Sequence, residues 1–327
     1  MRRAPAHAGR LRPWERSVFV VVFALMLAFV VVVTMSAAHS KGHQPVVAGT
    51  PAKTPALVPG TGTGTGLAGG SAATGSAVQT STGAVAETVT RSARLDRRLS
   101  AALAGLVRRS GGRFAVGVID ASAGTEAVFG NERSFRAAGL AGTDLVAALL
   151  LAHQHSGQRV TGAESGLAAA VVQSGSQSAA AAIAARLRSG LPAANTALKL
   201  HRTHGRSWAE QMTTVGDQLQ LLTDLSADNS PLHSAGRDYL LGLMSAAAAG
   251  QRWGVPAAAA ARTGYAVKDG WLKTGDHWVV NSTGIVEHDG HALLIAVLSD
   301  GSLTKAAGIS LVQSAAVTAA RVATSSS

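Results

Sequence analysis

Apolar positions change their spacing twice along this chain, and the changes mark out its elements. Over residues 92–109 the spacing is helical: Leu95, Leu99, Leu103, Leu106 and Val107 share one face, arginines take the other, and Gly111-Gly112 supplies the stop. Residues 113–120 alternate, with Phe114, Val116 and Val118 on one side, which predicts a strand. Ala123-Gly124 marks a turn and 126–130 a short returning strand. The run LVAALLLA inside 135–151 (FRAAGLAGTDLVAALLL) is apolar on nearly all sides, so it predicts a central helix over about 142–155, stopped by Gly157. Residues 164–188 read as Ala-rich helix interrupted at Ser174-Gly175-Ser176, and Gly190 and Pro192 break that pattern. Thr213 or Thr214 caps a helix reaching Leu225, and another helix covers about 234–249. Period two then returns over 266–272, 278–287 and 292–299, with His288-Asp289-Gly290 as a hairpin turn. A closing helix covers 306–322. This order predicts an α/β (α+β) domain, an antiparallel five-stranded sheet flanked by helices, plus an all-helical subdomain.

The first 91 residues follow other rules. Arg2, Arg3, Arg10, Arg12 and Arg16 form a basic head (1–16) before an uncharged apolar run, 17–35. As a helix that run spans about 28 Å, close to the hydrocarbon thickness of a bilayer. It predicts a single-pass signal-anchor in the plasma membrane, with the arginines holding the N-terminus in the cytoplasm and the C-terminal domain outside. Ser36-Ala37-Ala38 offers a cleavage site, and cleavage after Ala38 would release the domain as a secreted protein. Residues 36–91 are rich in Gly, Thr, Ser, Pro and Ala without apolar period, which predicts a disordered linker. Residues 92–327 then form one domain with a substantial core.

Charge and cysteine content narrow the chemistry. Of the net charge of +11, roughly half belongs to residues before Ser92. There is no zinc-finger spacing, aromatic-rich RNA motif or continuous basic helix, so no nucleic acid is expected as a partner. A positive outer domain favours anionic wall polymers. The chain has no cysteine, which excludes disulfides and cysteine-based zinc sites. His201 and His204 are three residues apart without the glutamate of a metalloprotease helix, and no metal or other cofactor is expected.

Four segments carry a resemblance: AVGVIDASAGTEAVFGNERSF, TDLVAALLL, TTVGDQLQLL and AVKDGWLKTGDHWVVNSTGIVEHDGHALLIAVLSDG. Together they resemble the class A β-lactamase and D,D-peptidase-like serine hydrolases, over about 92–322. The resemblance implies three clusters around one cleft. The first is Ser-x-x-Lys at a helix start, one turn apart so that the amine can take the hydroxyl proton. Counted from Phe135, those positions are Gly139 and Gly142, neither of which can attack or accept a proton. The second, Ser-x-Asn, falls on Ser174-Gly175-Ser176, with the serine kept and the asparagine lost. The third, Lys-Thr-Gly, falls on Lys268-Asp269-Gly270, with Lys268 and Gly270 kept. A literal Lys273-Thr274-Gly275 is expected in the following turn, and a literal Ser302-Leu303-Thr304-Lys305 as cap and first turn of the last helix. No acid other than Glu210 stands between Pro192 and Thr213, and Glu210 is too near the threonines to serve as the deacylating glutamate. The expectation is a membrane-anchored pseudoenzyme that binds peptidoglycan fragments or an envelope partner. The alternative is an active serine hydrolase with a displaced nucleophile, for which Ser134, Ser174 and Ser302 are the candidates. Asp217 is expected as a helix-start acid, and Trp271 and Trp278 as sheet packing.

Overall fold

The computed structural model describes residues 75–325. The basic head, the 17–35 segment and most of the 36–91 stretch lie outside the described residues. Helix α1 (Gly75–Arg109) leads into strands β1 (Arg113–Asp120), β2 (Thr125–Phe129) and the short β3 (Phe135–Arg136). A single 3₁₀ turn, Ala138–Leu140, runs into α2 (Ala141–Ser156). Then come α3 (Gly162–Ser174), α4 (Gln177–Leu187), α5 (Gly190–Ala197), the short β4 (Met212–Thr213), α6 (Val215–Ser226) and α7 (Ser234–Ser245). Strands β5 (Tyr265–Thr274), β6 (His277–His288) and β7 (His291–Ser302) precede the closing helix α8 (Lys305–Thr324).

The main sheet has the order β2-β1-β7-β6-β5 and is antiparallel throughout, as expected; β3 and β4 make a separate two-stranded ladder. Strand β7 is central, so both its faces are buried. Leu293, Ile295 and Val297 pack with Leu95, Leu99 and Leu103 of α1 and Leu311, Val312, Ala315 and Ala316 of α8. Leu294, Ala296 and Leu298 join the opposite core with α2 and α6. The alternation of side chains across a pleated strand thus divides one apolar run between two cores. Helix α2 is the centre of the second core: Leu140 to Leu151 are buried without a break.

Helix ends follow the local signals. Gly157 and Gly175 adopt the left-handed conformation that closes α2 and α3 (φ 67° and 69°). Thr161 and Glu164 form a reciprocal capping box at the start of α3. Thr214 caps α6 by accepting from the Asp217 N–H.

Three expectations need correction. The last part of the 36–91 stretch is helical, because α1 begins at Gly75; a helix already seeded by the packed leucines extends at little further cost. Ser302 is not part of the α8 cap: it is the buried last residue of β7, and Thr304 caps the helix through the Ala307 N–H. The helix expected over 234–249 stops at Ser245, followed by a 3₁₀ turn at Ala249–Gln251. Among the described residues α8 alone is long and apolar enough to cross a membrane, but its apolar stripe is packed on the sheet as core.

Candidate active site

The start of α2 is held from two sides. Asn281 of β6, fully buried, donates from Nδ2 to the carbonyls of Arg136 (2.8 Å) and Ala137 (3.2 Å) and accepts from the Ser299 N–H of β7 (3.0 Å). From the other side the Ala137 N–H donates to the Gln211 carbonyl at 2.7 Å. Between these clamps Ala138 is forced to φ 50°, a left-handed conformation that an alanine adopts only under constraint. The residue after it is Gly139.

Strand β5 comes directly against this turn. A Cβ built on Gly139 would lie 2.8 Å from Gly270 Cα and 2.9 Å from the Asp269 carbonyl oxygen; one built on Gly270 would lie 2.6 Å from the Gly139 nitrogen. The two backbones touch where side chains would otherwise intervene. At Gly142 a Cβ would lie 2.5 Å from Val171 Cγ1 of α3. The Lys268 side chain threads the same place: its Nζ is 3.6 Å from the Cβ position at Gly139 and its Cε 3.6 Å from that at Gly142. Gly139, Gly142, Lys268 and Gly270 are therefore brought together. Lys268 is 1 % exposed and its amine donates to the Asp269 carbonyl oxygen at 2.6 Å. Burial pushes its pKa down to about 8, opposed by the nearby Asp269 carboxylate.

Asp269, the middle residue of Lys268-Asp269-Gly270, does not share that face. Its carboxylate accepts from the Trp253 N–H at 3.0 Å, close to Lys305, while Oδ1 has no protein partner. Burial raises its pKa to about 7, against the opposing pull of the Ser282 hydroxyl, the Trp253 N–H and the lysines. Lys273 and Thr274, expected in the turn, instead close β5, with Lys273 exposed and paired with Trp278; only Gly275 lies in the turn, with φ 58°.

Ser174-Gly175-Ser176 forms the α3–α4 junction. Ser174 is exposed, and its carbonyl accepts from Gln251 Nε2 (3.3 Å). Ser176 caps α4 through the Ala179 N–H, and its hydroxyl pairs with Ser178. Val171, rather than either serine, is the α3 residue pressed towards Gly142 and Lys268. Among the described residues no serine hydroxyl is hydrogen-bonded to a lysine amine: Ser302 is buried at the end of β7, and Ser134 precedes β3.

The other candidates separate into structural parts. His201 and His204 are exposed, and among the described residues no three metal-ligating side chains cluster. Asp217 is at the start of α6 but is buried, where it accepts from Thr203 Oγ1 (2.6 Å) and the Arg202 N–H (2.9 Å). Trp271 and Trp278 are half-buried against the α1/α8 core, as expected. Glu210 sits in an exposed 3₁₀ turn.

One buried acid near the α2 start went unnoticed in the sequence. Asp144, fully buried, accepts from Gln211 Nε2 at 2.6 Å, while its Oδ1, Gln211 Oε1 and Thr143 Oγ1 have no protein partner. Burial raises its pKa to about 7. The one available signal was a lone aspartate in the first turn of a helix whose run up to Ala152 is otherwise almost entirely apolar.

No family model matches this sequence, and no curated protein matches it. Solved structures do. A β-lactamase from Burkholderia vietnamiensis superposes with a TM-score of 0.61 at 19% identity, over 70% of this chain and 97% of that one. The domain has the class A β-lactamase fold. A class A β-lactamase from Bacteroides cellulosilyticus gives a TM-score of 0.63 at 12% identity, over 71% and 99% of the two chains. One from Mycobacterium abscessus gives 0.58 at 19%, over 68% and 98%. On this β-lactamase-like, serine hydrolase-like scaffold the α2 start and β5 are in contact, and neither of the two described cavities is lined by Gly139, Gly142 or Lys268.

Proposed function

We propose that residues 92–327 form a non-catalytic β-lactamase-like domain, held outside the plasma membrane by the 17–35 segment, that works by binding. Its occupant would be a peptidoglycan fragment, another anionic wall polymer, or an envelope protein. One observation carries this reading: the buried Lys268 amine stands 3.6 Å from the Cβ position of Gly139, where a serine hydroxyl would be needed, and glycine supplies none. Losing such a nucleophile typically lowers kcat by a factor on the order of 10⁶. The close approach of Gly139 and Gly270 supports the same reading, since it leaves no room beside β5 for a side chain at 139.

The alternative, a hydrolase with a displaced nucleophile, draws on the Lys268 pKa of about 8, which leaves a sizeable neutral fraction able to act as a base. It requires a serine oxygen within about 3 Å of that amine, whereas the described partner of Lys268 is the Asp269 carbonyl oxygen. The two readings separate on turnover of a chromogenic cephalosporin by the detergent-solubilised full chain. Non-catalytic binding predicts no hydrolysis above buffer, together with a raised melting temperature on addition of disaccharide-peptide fragments or of a partner. A burst of one product equivalent per chain would overturn it.

A further inference from the structure

One end of the sheet is built unlike the rest of the surface. Helix α1 ends there at Arg109, β1 begins at Arg113, β5 ends at Thr274, β6 begins at His277, and β7 ends at Ser302 before α8 starts at Lys305. Two of the three exposed large apolar side chains among the described residues lie at this end, Leu303 at 75% and Val107 at 44% exposure. Trp278, half-buried against the α1/α8 core, pairs with Ser302 across the β6–β7 ladder, one residue before Leu303 in the chain. Trp271, on the neighbouring β5 and two residues from the partner of Trp278, has the Lys305 ammonium 3.2 Å above its ring and Trp253 at 6.0 Å between centroids.

The same end is basic. The segments at this end carry Arg108, Arg109, Arg113, Arg133, Lys273 and Lys305 against Glu132, Asp276 and Asp300, apart from the buried Asp269. Arg113 and Arg133, with Val107, Gly112 and Phe114, line a cavity of about 410 Å³. Arg113 is half exposed although it pairs with Asp300 (3.2 Å); Arg133 is anchored on the Phe114 carbonyl (3.0 Å) and pairs with the exposed Glu132 (3.4 Å).

We infer that this end of the sheet docks on the surface of an anionic phospholipid bilayer, with Leu303, Val107 and the Trp278 indole at the acyl boundary and a lipid phosphate in the Arg113–Arg133 groove. Indoles with apolar bodies and polar edges, ringed by cations and accompanied by exposed aliphatic side chains, are the chemistry of a membrane interface. A sugar platform needs a free aromatic face. Trp271 has none, being covered by Lys305 and flanked by Trp253. An anionic polymer alone would leave Leu303 and Val107 without a role. The inference rests on the anchor reading only for reach. Helix α1 sets its first residue about 52 Å from this end, and the chain between Met35 and Gly75 is long enough to cover up to about 130 Å.

The chain contains no cysteine, so a single introduced thiol is unique. Leu303→Cys in the full chain is labelled with a polarity-sensitive dye, with Ala123→Cys in the β1–β2 turn at the opposite end as control. Each is reconstituted into phosphatidylcholine vesicles with or without phosphatidylglycerol. Docking predicts a blue shift at 303 that depends on phosphatidylglycerol, no shift at 123, and a response weakened about fivefold per charge removed in Arg108→Gln/Arg109→Gln. Identical spectra at 303 and 123 on anionic vesicles overturn it. So does a shift at 303 produced by soluble peptidoglycan fragments and not by vesicles. Alkaline extraction of the same vesicles tests the anchor separately: a chain that washes off fails the anchor reading, and titrating it with free vesicles still reads docking.

Discussion

Gly139 at the mouth of α2 and Gly270 on β5 meet backbone to backbone, and neither position has room for a Cβ. Because the obstructing atoms are main chain, they cannot rotate away. Gly270→Ala and Gly139→Ser are each expected to destabilise the domain by about 1–3 kcal/mol. In Gly142→Ala the one severe contact is with a Val171 methyl, which can shift, so it should cost less. Gly162→Ala, where nothing lies within 4 Å, serves as the neutral control. Urea denaturation of the four variants checks the ranking.

Restoring the two missing groups together follows from the same contact. Gly139→Ser with Gly142→Lys should not recover cephalosporin hydrolysis, because the new side chains enter space already held by β5, Val171 and Lys268. Turnover rising to even a hundredfold above the background rate would show the site to be roomier than the Gly139–Gly270 contact allows.

Three buried carboxylates, Asp144, Asp224 and Asp269, have pKa values raised from 3.8 to about 7 by desolvation. A carboxylate raised in the folded state binds more protons there than in the unfolded chain between those values. Its contribution is complete below about pH 4 and is lost as pH rises through 7. The domain should therefore lose stability between pH 4 and 7 through these groups. Glu164, lowered to about 2 by the Thr161 hydrogen bonds, contributes the opposite slope below pH 4.5. Asp144→Asn removes one ionisation and offers an amide to the unpaired Gln211 Oε1. It should be nearly neutral at pH 4 and stabilising by about 1–3 kcal/mol at pH 8, read from melting curves at the two pH values.

Lys268 gives a slope of its own. With a folded pKa of about 8 against 10.5 for the free side chain, the unfolded chain holds more protons between those values, so stability rises with pH across that window. Lys268→Met should abolish the rise and stabilise the domain at pH 7 by about 2 kcal/mol. Stability measured from pH 7 to 10.5 in both proteins tests it.

Asn281 joins the α2 approach to the sheet through three hydrogen bonds in a fully buried position. Asn281→Ala leaves those backbone groups unpaired and should cost about 3 kcal/mol or more. Hydrogen exchange should show the loss first at residues 136–142.

Much of this was legible in the chain. Strand alternation located β1 and β5 to β7, and Gly157, Gly175 and Thr214 marked helix ends through their φ preference or capping hydroxyl. Period two also puts Asp269 on the opposite face from Lys268, a consequence the motif alone obscures. What could not be read depends on packing between distant segments. Nothing local distinguishes Val171 from Val172, yet Val171 is the residue set against Gly142. The seventeen residues before Ser92 have the composition of a linker, and they are helical because they continue a helix that the leucines of 95–103 fix to the sheet. The choice of Thr304 over Ser302 as the α8 cap depends on where β7 ends, which is decided by pairing with Trp278 rather than by either hydroxyl.

The most direct measurement is the intact mass of the full chain after prolonged incubation with a penicillin and acid quench. A domain with glycine at 139 and 142 and its lysine bonded to a carbonyl predicts an unchanged mass. A mass increase of one penicillin, mapped to a serine beside Lys268, would contradict the account.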